Sequence, residues 1–212
     1  EARGTGGALW EARNILDKKF LLANGDTLFD FNWLDLGRAV TPGILGVLAL
    51  RPIRSAQRYS TVEFADGRIT SFGKSDPDAE SHLINGGVYI LDREIALRQN
   101  GDTVSLEAEL FPQIAANGQL AGIVANSYFI DMGVPEDFER AQREVPERCN
   151  RKAVLIDAHL VMTPVAHDTG LSPEIVWREG ARDAVRTCND AGYMVFVVDT
   201  DSDARPDNDV AS

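Results

Sequence analysis

Four short apolar runs in this chain close on an aspartate: Leu21-Leu22-Ala23-Asn24-Gly25-Asp26, Tyr128-Phe129-Ile130-Asp131, Val154-Leu155-Ile156-Asp157 and Met194-Val195-Phe196-Val197-Val198-Asp199. Apolar runs of this length between polar boundaries read as buried strands. Segments with helical spacing separate several of them, so the alternation predicts an α/β protein whose sheet is mixed but mainly parallel. In such sheets ligands sit outside the carboxyl ends of the strands, where a terminal Asp can hold a metal-bound phosphate. Asn24-Gly25 between two apolar runs is equally the signature of a β-hairpin, and on this stretch alone both readings stand.

At 212 residues, 44% hydrophobic and 25% charged, the chain is long enough for one large domain or one domain plus a fragment. Its net charge of −12 excludes a nucleic-acid surface, which needs a basic stripe to displace counterions. Phosphorylated small molecules stay compatible with that charge where a cation mediates. Cys149 and Cys188 stand alone, which predicts free thiols in a reducing compartment. No apolar run has the length of a membrane span and no signal-peptide pattern opens the chain, so no membrane partner is expected and the cytoplasm is the expected compartment. The chain begins at Glu1 and runs straight into a glycine-rich motif, so it reads as a piece of a longer protein.

That motif, Gly4-Thr5-Gly6-Gly7, precedes apolar positions at helical spacing through Leu16 and reads as a helix entrance whose backbone N–H groups could face an anion or a base edge. Further on, Trp33 to Val40 reads as a short helix and Ile44 to Leu50 as a strand covered on both faces. Residues 60–64 and 68–72 flank Asp66-Gly67 as a two-residue hairpin. Leu83 to Leu91 is an apolar strand interrupted by Gly86-Gly87, which marks either a bulge or the close approach of a ligand. Ser105 caps a predicted helix over 105–116, residues 119–125 form a strand, and Pro135 suits the first turn of a helix favoured by Glu136 and Asp137. The polar stretch 146–152 is the expected linker, after which residues 153–157, a helix over 179–191 and residues 193–199 form one βαβ unit with a polar tail.

Gly4-Thr5-Gly6-Gly7-Ala8-Leu9, Asn24-Gly25-Asp26, Ile84-Asn85-Gly86-Gly87-Val88-Tyr89 and Asp131-Met132-Gly133-Val134-Pro135-Glu136-Asp137-Phe138 follow one another in an order that resembles the sugar-1-phosphate nucleotidyltransferases. The branch most similar activates heptose or mannose 1-phosphate, and the resemblance covers residues 1–142. It implies a three-layer nucleotide-diphospho-sugar transferase fold of the GT-A/Rossmann-like kind over residues 1–145. It also implies Mg²⁺-dependent transfer of a nucleotidyl group from a nucleoside triphosphate to a sugar 1-phosphate, in nucleotide-sugar synthesis for lipopolysaccharide or capsule. By that resemblance Gly4, Thr5, Gly6 and Gly7 line the nucleotide. Asp26 and Asp131 are the catalytic, metal-holding carboxylates, and Asn85, Gly86, Gly87 and Glu107 lie along the sugar.

Two departures from the family pattern bear on activity. The family's opening strand and basic triphosphate loop have no counterpart after Glu1, and Phe72-Gly73-Lys74-Ser75 lacks the Glu of the usual Phe-x-Glu-Lys. Lys74 keeps the position of a contact to the sugar phosphate, although as an exposed loop lysine it reads more readily as solvated. Residues 153–212 resemble the start of a haloacid-dehalogenase-type phosphatase of the histidinol-phosphate and heptose-bisphosphate branch. On that resemblance Asp157 is the nucleophile, but His159 replaces the general acid, Asp199 replaces the following Thr, and the family's Lys would fall beyond Ser212. An inactive, partial phosphatase module is therefore expected. Paired with a heptose phosphatase, the first activity would serve ADP- or GDP-heptose synthesis, with GDP favoured. The rival readings are a non-catalytic sugar-phosphate or nucleotide-sugar binding module and an active sugar phosphatase. A homo-oligomer is compatible with each. His82, His159 and His167 lack metal-ligand spacing, and Asp199-x-Asp201-x-Asp203 lacks the glycine and closing Glu of a calcium loop.

Overall fold

The computed structural model describes residues 3–54, 59–73, 81–98, 103–165 and 174–198, and divides the chain into two units, Glu1–Arg143 and Glu144–Ser212. Lys74, His167 and Asp199 lie outside the described residues.

In the first unit, α1 (Gly4–Ala12) is followed by β1 (Lys19–Ala23), β2 (Thr27–Asp30) and a 3-10 turn over Trp33–Ala39. Then come β3 (Gly46–Ile53), β4 (Thr61–Ala65), β5 (Arg68–Gly73), β6 (His82–Asp92) and α2 (Glu94–Leu97). A π-turn over Leu106–Leu110 leads into α3 (Phe111–Ala116), β7 (Leu120–Val124), β8 (Tyr128–Asp131) and α4 (Pro135–Cys149). Six strands join in the order β1-β6-β3-β7-β5-β4. The sheet is mixed, as expected, and its register makes β1, β3, β7 and β4 point one way against β6 and β5. Because β6 lies reversed between β1 and β3, only β3–β7 pairs in parallel, so the expected parallel majority holds for strand direction and not for pairing. An apolar run records that a strand is buried; which way its neighbour runs is set by the connections.

The buried strand β3 supplies both halves of the core. Leu48 and Leu50 meet Tyr89, Phe111, Ile114 and Leu120 on the helical face, which α1 closes with Leu9. Val47 and Ala49 face Phe29, Leu36 and Val88 on the other side. This second face is covered by the 3-10 turn and by β2 and β8, which pair with each other outside the main sheet. Helices, sheet and ribbon make the three layers. β1 differs from the expected buried strand: it pairs only with β6, its residues alternate exposed and half-buried, and Leu21 keeps 49% of its surface. Phe20 and Leu22 alone pack on the core, so the apolar run is one-sided.

The Asp66-Gly67 hairpin forms as predicted, with φ of 49° and 78° at the two turn residues, as a type I′ turn demands. Ser105 caps its helix by accepting the Ala108 N–H at 3.1 Å. The expected linker is partly helical, since α4 continues through Cys149 with Pro146 inside it. Glu, Arg and Gln are good helix formers, and the half-buried Glu144 and Val145 extend the stripe begun by Ala141.

The second unit contains β9 (Ala153–Asp157), α5 (Ala158–Val161), β10 (Met162–Val165), β11 (Glu174–Trp177), α6 (Ala181–Asp190) and β12 (Met194–Val198). β9 and β12 pair in parallel around α6, which is the predicted βαβ unit. The antiparallel β10–β11 hairpin is an addition that the sequence reading did not contain. The helix starts at Ala181 and not at 179 because Gly180 takes a left-handed φ of 73°. Among the described residues no helix is long and apolar enough to cross a membrane.

Candidate active site

Asp26 sits in the turn between β1 and β2, and these strands do not pair with each other: β1 joins β6, whereas β2 joins β8. The hairpin reading of Asn24-Gly25 is thereby excluded. Thr27 stands opposite Asp131 in the β2–β8 ladder, and the Met132 N–H donates to the Asp26 carbonyl at 2.7 Å. Asp26 and Asp131, more than a hundred residues apart in sequence, both line one open cleft of about 320 Å³. That volume is at the lower end for a small-molecule site. Asp131 is oriented by the Gly133 N–H, which donates to its Oδ1 at 2.9 Å.

Glu107 lines the same cleft, and the charged side chains of its described lining, Asp26, Glu107 and Asp131, are all acidic. A phosphorylated ligand would be repelled there unless a cation came with it. Hard oxygen donors with open coordination positions suit Mg²⁺, which takes one or two carboxylates and keeps its other positions for water and phosphate. No cluster of three or more His, Cys, Asp or Glu side chains that could hold a metal ion occurs among the described residues.

Gly86-Gly87 forms a bulge: β3 pairs Leu48 with Tyr89 and then Leu50 with Asn85, leaving extra residues on β6. The two glycines have different causes. A Cβ on Gly86 would lie 2.5 Å from the Phe29 ring, so packing excludes one there. Gly87 has a φ of +74° and lines the cleft. Asn85 also borders the cleft, with its Oδ1 taking the Gly87 N–H at 3.0 Å and its Nδ2 donating to Tyr89 Oη at 2.9 Å. Tyr89 Oη donates in turn to Asn24 Oδ1 at 3.3 Å. Burial pushes the Tyr89 phenol well above its ordinary pKa, and the negative charge of Glu107 adds to the effect, so the hydroxyl stays protonated.

Gly4 to Gly7 do not line the cleft. They dock on the segment before the π-turn: Gly6 N–H donates to Val104 carbonyl at 2.8 Å, and a Cβ on Gly4 would fall 2.6 Å from that oxygen. The Thr5 hydroxyl accepts from the Leu106 N–H at 2.9 Å and donates to Glu107 Oε2 at 3.1 Å. The glycine-rich turn therefore holds Glu107 in place. The sequence reading missed Asn24 and the aromatic wall of Tyr59, Phe72 and Phe129. The strand period carried a signal for Phe129, which shares the face of Asp131 two residues on. Asp157, in the second unit, ends β9 and caps α5 by accepting the His159 N–H at 2.8 Å.

The profile of the family described as nucleotidyl transferase matches residues 1–148. The chain belongs to the nucleotidyl transferase family. Among curated relatives of this chain, D-glycero-alpha-D-manno-heptose 1-phosphate guanylyltransferase from Aneurinibacillus thermoaerophilus is 33% identical over 151 residues, covering 68% of this chain and 64% of the relative. Mannose-1-phosphate guanyltransferase beta-B of Xenopus laevis is 31% identical over 144 residues, covering 65% of this chain and 40% of the relative. The crystal structure of HddC from Yersinia pseudotuberculosis complexed with GMP-PN matches with a TM-score of 0.59 and 26% identity, over 68% of this chain and 64% of that one. The chain thus spans less than two thirds of the length of these relatives.

Proposed function

We propose that this protein transfers a nucleotidyl group, guanylyl by preference, from a nucleoside triphosphate to a heptose- or mannose-type sugar 1-phosphate, releasing pyrophosphate. The observation that carries this reading is that the β2–β8 ribbon, in which Thr27 stands opposite Asp131, brings Asp26 and Asp131 to one cleft whose described charged lining is wholly acidic. In the reaction a phosphate oxygen of the sugar 1-phosphate forms a bond to the α-phosphorus of the triphosphate, and the bond from that phosphorus to the pyrophosphate oxygen breaks. The nucleophile is already an anion at neutral pH, so positioning and charge neutralisation are the main demands. Asp26 and Asp131 would hold Mg²⁺, which when bound supplies neutralising charge for the phosphates. Glu107 and Asn85 border the sugar, Tyr59, Phe72 and Phe129 give it apolar faces, and Gly4, Thr5, Gly6 and Gly7 are assigned to the nucleotide on the family motif alone. Lys74 is assigned to phosphate on the family motif alone. Guanosine is favoured because the named relatives are guanylyltransferases. The cytoplasm, where nucleoside triphosphates are made, is the proposed compartment, and lipopolysaccharide or capsule precursors are the proposed products' use.

Pyrophosphate release by the full protein, with Mg²⁺ and each common triphosphate against mannose or heptose 1-phosphate, tests the reading. Asp26→Asn and Asp131→Asn should each lower kcat/KM by about a hundredfold or more, as loss of a charge-stabilising group does. Unchanged turnover in both variants would overturn it. Sugar-phosphate binding without release under any triphosphate would instead establish a binding module.

A further inference from the structure

Donors and acceptors around Tyr89 can be assigned in sequence from a group whose role is not in doubt. The Gly87 backbone N–H can only donate, so the atom of Asn85 that receives it at 3.0 Å is the carbonyl oxygen. The amide nitrogen of Asn85 must then be the end facing Tyr89 Oη, to which it donates at 2.9 Å. The hydroxyl has one proton, and it is directed at Asn24 Oδ1, 3.3 Å away. Asn24 therefore turns its oxygen inward and its NH₂ away from the tyrosine. Among the described residues no acceptor is recorded for that Nδ2, and Asn24 lines the cleft beside Asp26. The bare Cα of Gly87 keeps the nitrogen open, since a Cβ there would sit 3.0 Å from Asn24 Nδ2.

The three charged groups of the described lining are acceptors when ionised. They can take the protons of ligand hydroxyls but offer nothing to ligand oxygens that need a donor. We infer that Asn24 is a specificity-determining donor to an acceptor oxygen of the sugar 1-phosphate, and that Tyr89 is a positioning residue that fixes the direction of its amide. The inference rests on a sugar 1-phosphate being the ligand of the cleft.

The test is calorimetric binding of mannose 1-phosphate to the full protein with Mg²⁺, alongside steady-state turnover with GTP. Asn24→Ala should weaken mannose 1-phosphate binding about tenfold, the usual effect of losing a hydrogen bond to a polar or charged group. KM for GTP should stay within about twofold of wild type. Asn24→Asp, which replaces the donor by a charged acceptor next to Asp26, should weaken binding more than Asn24→Ala. Tyr89→Phe should weaken it severalfold in the wild-type background and add nothing in the Asn24→Ala background, whereas a merely structural tyrosine would act equally in both. Monodeoxy mannose 1-phosphates separate the two oxygen sources. A sugar oxygen makes the Asn24→Ala effect vanish for the analogue lacking it; a phosphate oxygen leaves the effect in every analogue. Binding within twofold of wild type in Asn24→Ala, or a Tyr89→Phe effect that persists without Asn24, overturns the inference. Wild-type binding without pyrophosphate release overturns the reaction and leaves this comparison of affinities decisive. No binding of the sugar phosphate to wild type overturns both.

Discussion

Gly86 has no room for a side chain: an added Cβ would meet two atoms of the buried Phe29 ring at 2.5 Å and the Ala49 carbonyl oxygen at 3.0 Å. Phe29 is fully buried and packs edge-on against Phe129, so neither ring can move aside freely. Gly86→Ala should cost about 1–3 kcal/mol, as overpacking does, read as a shift of the urea midpoint. Tyr89 gives a second expectation, through pH. Its folded pKa is raised above the ordinary value of about 10, so below pH 10 both folded and unfolded forms keep the proton and stability does not change on its account. Above that pH the unfolded phenol ionises first, and stability falls as pH rises. Between pH 9 and 11 wild type should therefore lose more unfolding free energy than Tyr89→Phe. Equal losses in the two proteins would show that the hydroxyl is not desolvated.

Among the elements, the β4–β5 hairpin and the β2–β8 ribbon show opposite relations between sequence and pairing. In the hairpin the local code suffices: Gly67 has a φ of 78° with nothing within 4 Å of an added Cβ, so only backbone conformation restricts the site. Gly67→Ala should then cost roughly 1–2 kcal/mol in a thermal melt, the penalty of a left-handed conformation without any clash. Asn24-Gly25 carries the same turn signal and makes no hairpin, because β1 finds its partner in β6 and β2 finds its own in β8. A turn dipeptide constrains two residues, whereas strand partners are chosen by burial across the whole sheet. Gly86-Gly87 belongs to the same lesson. A glycine pair in an apolar strand announced an irregularity, but the split between packing at Gly86 and an open cleft wall at Gly87 depends on Phe29 and Asn24, which lie far away in sequence.

At the scale of the whole molecule, the family match ends at residue 148 and the second unit holds Asp157 as the cap of a four-residue helix. If that unit has no part in nucleotidyl transfer, Asp157→Asn leaves pyrophosphate release within about twofold of wild type, and neither protein releases phosphate from a sugar bisphosphate. Phosphate release that is lost in Asp157→Asn would establish a working phosphatase instead. By itself the sequence determined the α/β class, most strand positions, the Ser105 cap and the Asp66-Gly67 turn, because each is written in local periodicity or in capping and turn residues. Tertiary structure alone decided that β6 runs reversed between β1 and β3, that a ribbon outside the main sheet brings Asp26 and Asp131 to one cleft, and that Thr5 holds Glu107. It also set the amide of Asn24 through Tyr89. Those relations join residues dozens to a hundred positions apart, and no local pattern specifies them, since they arise only when burial of the two faces of β3 brings the segments together.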